Sequence, residues 1–177
     1  MSGGPDLEAT VPDLEALLSE MISSVLGEES VLIFDDRRPA APSGISRLIV
    51  HDVVADWYLA VEVRASVDLV STLAAKLLGV PDPAPDDMLD VIAELGNIAA
   101  GNVKTLLCTH GQLSLPSSAL LTSAPDDPVG MVRAAADILD QVLELIVMPL
   151  ARTDAAVTDA RWPGAPLAGN TQLANQG

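Results

Sequence analysis

Leu14, Leu17, Leu18, Met21, Ile22 and Val25 recur at steps of three and four, and Gly27 follows them. That spacing predicts an amphipathic helix, opened by Pro12 and Asp13 and closed at the glycine. Val31 to Phe34 predicts a short strand, and the Pro/Ala/Ser/Gly stretch from Arg38 to Gly44 a loop. Ile45 to Val54 and Trp57 to Arg64 are rich in β-branched and aromatic residues, with Ala55-Asp56 between them, which predicts a hairpin. In its second arm Trp57, Leu59, Val61 and Val63 alternate with Tyr58, Ala60, Glu62 and Arg64. One face of this arm is therefore expected to be apolar and the other largely solvated.

Ser66 is a good N-cap, and Val67 to Leu78 has helical spacing up to Gly79. Val80 to Pro85 holds three prolines and is a connector. Asp86 or Asp87 is expected to cap the longest helix, which runs to about Cys108. Leu113 to Leu121 predicts a strand interrupted near Pro116, and Asp126 to Gly130 a turn. Met131 to Ile138 and Gln141 to Leu150 read as strands, although Ala134 to Leu145 has the Ala, Leu and Glu content of a helix. The organisation expected is a flexible leader over 1–11, one domain over 12–152 and a disordered tail over 153–177.

Composition narrows the class. The 177 residues suit a single domain, and a hydrophobic content of 49% is too high for a disordered acidic chain. Aromatics make up only 2%, so the core must be built from Ala, Val, Leu and Ile. Asp plus Glu number 25 against 9 Lys plus Arg, a formal net charge of −16. Such a surface repels phosphate backbones and anionic lipid, which argues against nucleic acid and membrane as partners. The single cysteine, Cys108, fits a reducing compartment. No signal peptide is apparent and no apolar run is long enough to span a bilayer, so a cytoplasmic domain is expected.

On the helix from Asp86 to Cys108, Asp90, Glu94, Asn97, Gly101 and Lys104 fall at steps of four, three, four and three. They form one narrow polar stripe, opposite a core face of Met88, Ile92, Leu95, Ala99, Val103 and Leu106. A polar stripe on a half-buried helix is commonly just solvated. Here, however, Asn97 is a poor mid-helix residue, and Gly101 costs about 1 kcal/mol there relative to Ala. The gap over Gly101 lets another backbone or a phosphate-bearing loop come close to Glu94 and Asn97.

The run Asp90-x3-Glu94-x2-Asn97-x3-Gly101, read D-V-I-A-E-L-G-N-I-A-A-G-N, resembles the signature of the CheC/CheX/FliY chemotaxis phosphatases. The context agrees: Leu73-Ala-Ala-Lys-Leu-Leu-Gly79, a Pro-rich connector, the signature helix, then Leu115-Pro116. Pro116 comes a few residues early against the family pattern, which shortens the turn after the helix. The resemblance implies an α/β fold built as a pseudo-two-fold repeat of helix plus three strands, with a mostly antiparallel sheet and two long helices packed on it. It implies removal of the phosphoryl group from an aspartyl-phosphate on a CheY-like response regulator. Asn97 would orient the attacking water, and Glu94 would dock by pairing with the regulator's active-site lysine. Asp90, Gly101 and Lys104 would belong to the binding surface, with Lys104 equally readable as solvated. No cofactor of the chain's own is implied, and Mg2+ is expected on the regulator. A homodimer is a further expectation from the resemblance.

The signature has an echo. A shift of 74 residues places Glu20 on Glu94, Ser23 on Asn97 and Gly27 on Gly101. Ser23 has a shorter side chain than a carboxamide, so the first copy reads as inactive and the chain as CheX-like, with one site. Cys108, His110 and His51 have no supporting cluster and are set aside as nucleophile or metal ligands. Asp35-Asp36 and Arg37-Arg38 read as surface ion pairs. Two rivals remain: a response-regulator-binding module with weak catalysis, and a structural protein of the flagellar-switch kind.

Overall fold

The computed structural model describes residues 4–27, 31–34, 36–108, 110–152 and 154. Its elements run α1 (Val11–Met21), β1 (Val31–Leu32), β2 (Ser43–Asp52), β3 (Trp57–Ser66), α2 (Val67–Leu78) and α3 (Pro85–Leu107). They continue with β4 (Gly111–Leu113), β5 (Ser117–Leu121), β6 (Val132–Ile138) and β7 (Gln141–Leu150). The fold is mixed helix and antiparallel sheet, as expected. Pro116 lies between β4 and β5, and 131–150 forms a strand hairpin rather than a helix. Its turn places Leu139 and Asp140 at φ of 54° and 63°.

The sheet order is β1-β6-β7-β3-β2, with β4 and β5 side by side along the far edge of β2. Exchanging β2 with β6, β3 with β7 and β1 with the β4/β5 pair returns the same order reversed. The two hairpins lie back to back through β3 and β7, in register from Tyr58 opposite Leu150 to Ala65 opposite Leu143. Each half therefore completes its outer edge with a strand borrowed from the other.

All three helices cover one face. Leu14, Leu18, Leu69, Leu73, Ile92 and Leu95 pack there against Leu48, Leu59, Val61, Val63, Leu143 and Leu145. Burying a side chain of this size contributes about 1.5–3 kcal/mol, so this aliphatic layer supplies the main driving force. Ser66 caps α2 as expected, its Oγ accepting the Leu69 N–H at 3.1 Å.

The first helix departs from its simple period. After Met21 the chain widens into a π turn over Ile22–Leu26, and Ser24 Oγ donates to the Glu20 carbonyl at 2.6 Å. The wider turn rotates the face, so Leu26 is buried where Val25 was expected. Gly27 closes the helix at φ 62°. Order begins ahead of residue 12: Leu7 is buried and Glu8–Thr10 forms a 3-10 turn. The tail expected over 153–177 lies outside the described residues apart from Asp154.

The expectation of a solvated face on β3 is overturned. Glu62 is 0% exposed and Arg64 4%. Glu62 receives Arg47 on β2 and the neighbouring Arg64, whose Nη2 lies 2.8 Å away. Glu144 on β7, itself 0% exposed, receives Arg133 on β6 at 2.6 Å. Charges that look like a wet face in one strand are partnered by charges on adjacent strands, beside a small apolar cluster of Ile49, Ala60, Ile146 and Met148. Arg37 and Arg38 likewise pair across the chain, with Asp137 at 3.1 Å and Asp127 at 2.9 Å.

Candidate functional site

α3 is the longest helix, and its start is set by Pro85 at the first position. Ala84, not an aspartate, occupies the N-cap, and Asp87 Oδ2 accepts the Ala84 N–H at 2.8 Å. Asp86 and Asp87 sit in the first turn, where carboxylates complement the helix dipole. Met88, Val91, Ile92, Leu95, Ala99 and Val103 face the core. Leu106, expected with them, is 40% exposed.

The opposite side carries the polar stripe. Asp90 and Glu94 are exposed, and Asn97, Gly101 and Lys104 are half-buried. Among the described residues, no hydrogen bond or ion pair engages the side chains of Asp90, Glu94 or Asn97. They are held only by the helix that carries them, so their bonding capacity is open to a partner. A Cβ added at Gly101 would meet nothing within 4 Å. That glycine leaves a shallow gap one turn beyond Asn97, and no internal packing requires it.

Lys104 stands apart from the other four. Its aliphatic stem lies over Gly111, where an added Cβ would come within 2.5 Å of Lys104 Cγ. This packing fixes the turn between α3 and β4. Beside it burial pushes the Cys108 thiol up to about 11, with Asp52 adding to the effect and Lys104 opposing it. A thiol so far from ionising is no nucleophile near neutrality. Asp52 instead organises backbone: Oδ1 accepts the Val54 and Ala55 N–H groups at 3.0 and 2.9 Å, and Oδ2 the His110 N–H at 3.4 Å. His51 stacks on Tyr58 with ring centroids 4.0 Å apart. Among the described residues no three His, Cys, Asp or Glu side chains gather where they could hold a metal.

Sequence reasoning missed Gly96. It is buried on the core side of α3, and a Cβ there would stand 2.3 Å from Ser46 Oγ, 2.8 Å from Ser46 Cβ and 3.1 Å from Leu48 Cδ1. Only glycine lets the helix lie this close to β2. Ser46 is itself fully buried, and its Oγ accepts from Ser118 Oγ on β5 at 3.2 Å. Gly96 thus sets the height and rotation of the turn that displays Glu94 and Asn97. The available signal was a second mid-helix glycine immediately before the asparagine, on the face opposite the stripe.

Comparison with known proteins places this geometry. Residues 50–125, from the end of β2 through β5, match the family described as chemotaxis phosphatase CheX. The crystal structure of CheX from Vibrio vulnificus is similar at 11% identity and a TM-score of 0.64, covering 79% of this chain and 95% of that one. CheX in the CheX–CheY–BeF3–Mg2+ complex of Borrelia burgdorferi aligns at 12% identity and a TM-score of 0.58, over 82% of this chain and 99% of that one. The middle domain of FliM from H. pylori aligns at 12% identity and a TM-score of 0.51, over 86% and 96%. No functionally curated protein matches the chain. No helix among the described residues is long and apolar enough to cross a membrane. The antiparallel sheet and the helix layer give this chain the fold of the CheX structures, and its signature helix lies within the segment that matches the CheX family.

Proposed function

We propose that this protein is a phosphatase that hydrolyses the aspartyl-phosphate of a CheY-like response regulator, using Glu94 and Asn97 on α3. The observation that carries this reading is the unpaired stripe of Asp90, Glu94, Asn97 and Gly101, lying within the residues that match the phosphatase family. The Borrelia relative, in complex with CheY and Mg2+, supports a regulator of that kind as the partner.

Each role follows from side-chain chemistry. Phosphoryl transfer demands positioning more than covalent catalysis. A carboxamide both donates and accepts, so Asn97 can hold a water in line with the scissile P–O bond and orient its lone pair at phosphorus. A carboxylate one turn earlier suits an ammonium, and Glu94 would bind the regulator's active-site lysine. Gly101 would admit the regulator's backbone next to both. The regulator's own Mg2+ offsets the charge on the phosphoryl group.

A second reading, a binding or assembly module without useful turnover, is favoured by the likeness to the FliM middle domain. Phosphate decay and binding, measured on the same regulator, separate the two. Asn97→Ala should still bind but lower the accelerated decay roughly a hundredfold, the scale of losing one positioned hydrogen-bonding group. Glu94→Ala should act first through weaker binding, and the wild-type interaction should weaken with added salt. Binding without acceleration by the wild type would leave the module reading in place of the enzyme.

A further inference from the structure

The polar stripe of α3 is not of one charge. Asp90 and Glu94 precede Asn97, and Lys104 follows it two turns later, about 10 Å along the helix axis. The phosphatase chemistry uses the acids and the amide and leaves the lysine without a role.

That lysine differs from the other cations of the chain. Arg37, Arg38, Arg47, Arg64, Arg133 and Arg152 each pair with a carboxylate, and Lys76 is engaged as well. Among the described residues, no hydrogen bond or ion pair engages the Lys104 ammonium. Asp plus Glu number 25 against 9 Lys plus Arg, so the cation is not open for want of carboxylates. The groups beside it supply no countercharge. Asp52 turns its oxygens to the Val54, Ala55 and His110 N–H groups. Cys108, with its thiol pushed up to about 11, keeps its proton near neutrality.

The side chain is nevertheless held. A Cβ added at Gly111 would stand 2.5 Å from Lys104 Cγ and 3.0 Å from its Cδ, so the backbone there packs against the middle of the stem. Lys104 is half-buried in consequence. Part of the rotamer freedom that a lysine gives up on pairing is therefore already lost, which favours a partner. Lys104 also sits in the last turn, where a cation complements the helix dipole. Any basic residue around that turn would serve the dipole, which accounts neither for its place on the stripe nor for its packed stem.

Resting on the phosphatase reading of the stripe, we infer that Lys104 is a specificity-determining contact that pairs with a carboxylate on the regulator, about 10 Å along α3 from the phosphorylated side chain. Glu94 and Lys104 then form two oppositely charged anchors on either side of Asn97. A regulator laid the other way round would set its lysine against Lys104 and its carboxylate against Glu94, with repulsion at both ends. The two anchors fix the direction of docking as well as its strength.

The test measures binding of the full chain to a CheY-like regulator carrying BeF3− and Mg2+, and turnover on the phosphorylated regulator. Lys104→Met keeps the stem over Gly111 and removes the charge, whereas Lys104→Arg keeps both. Lys104→Met should weaken binding about fivefold and raise KM by as much at unchanged kcat. It should also lose part of the wild type's sensitivity to salt. Lys104→Arg should stay within about twofold of wild type, while Lys104→Glu should weaken binding about twentyfold. Replacing the matching regulator carboxylate by lysine should restore binding to Lys104→Glu. A lowered melting temperature for Lys104→Met with binding unchanged would leave only the dipole role and overturn the inference. Equal weakening by Lys104→Arg, or no regulator carboxylate whose reversal rescues Lys104→Glu, would overturn it too. A wild type that does not bind the regulator at all would instead overturn the phosphatase reading, and this contact with it.

Discussion

α1 and α3 lead into the two halves of a sheet whose strand order reads the same from either end, yet of the two only α3 carries its polar stripe on an unbroken helix. α3 runs unbroken for 23 residues, with Asn97 and Gly101 in its interior. α1 stops after 11 residues, widens into a π turn at the positions that echo the signature, and ends at Gly27 in the left-handed region. Their contact with the sheet differs as well. The residue that echoes Gly96 is Ile22, the first of the π turn after α1 and fully buried, so the first half accommodates a whole side chain where α3 leaves no space for a Cβ. One helix is held tightly to its strand and keeps its polar stripe aligned. The other spends the same turn on filling the core. Similar sequence spacing therefore yields one display surface and one packing element.

Substitutions at glycine break this contrast most sharply. Gly96→Val must push α3 off Ser46 and Leu48 and should cost about 3 kcal/mol of overpacking, read as a lower denaturation midpoint. The same experiment should show regulator binding falling further than stability alone accounts for, because Glu94 and Asn97 are displaced. Smaller effects come from the two glycines that the echo equates. Gly27→Ala should lose about 1 kcal/mol, since a side chain is strained at its φ of 62°. Gly101→Ala should instead gain about 1 kcal/mol of helix propensity, since its Cβ meets no neighbour, while slowing phosphate release by narrowing the gap beside Asn97. Opposite signs at two equated positions would confirm that the echo has diverged in structure. A control leaves both helices untouched. Glu144 has a raised pKa in the folded state, so its contribution favours folding at low pH and is lost as pH rises through that raised value. Glu144→Gln cannot ionise, and thermal melts across that range should show its stability improving relative to wild type as pH increases.

Local signals explain what the sequence disclosed. Ser66, the period of Val67 to Leu78 and Gly79 delimited α2 to the residue, because cap and spacing are both encoded within one turn. Pro116 divided β4 from β5 for an equally local reason. The stripe from Asp90 to Lys104 was legible because helix geometry alone fixes which residues share a face. What stayed hidden depends on partners remote in sequence. Glu62 and Arg64 looked solvated until Arg47 and Asp127 were brought beside them. Gly96 looked like any mid-helix glycine, because its meaning lies in Ser46 on a distant strand. The π turn that buries Leu26 in place of Val25 reflects how α1 fits the completed core, which the helical period does not encode.

The central claim is that turnover belongs to α3 and not to its echo. The most direct test is the rate of phosphate release from a phosphorylated CheY-like regulator with wild type, Asn97→Ala and Ser23→Ala, all at equal concentration. Asn97→Ala should return the rate to that of the regulator alone, and Ser23→Ala should match wild type. An Asn97→Ala protein as fast as wild type, or a Ser23→Ala protein as slow as Asn97→Ala, would contradict it.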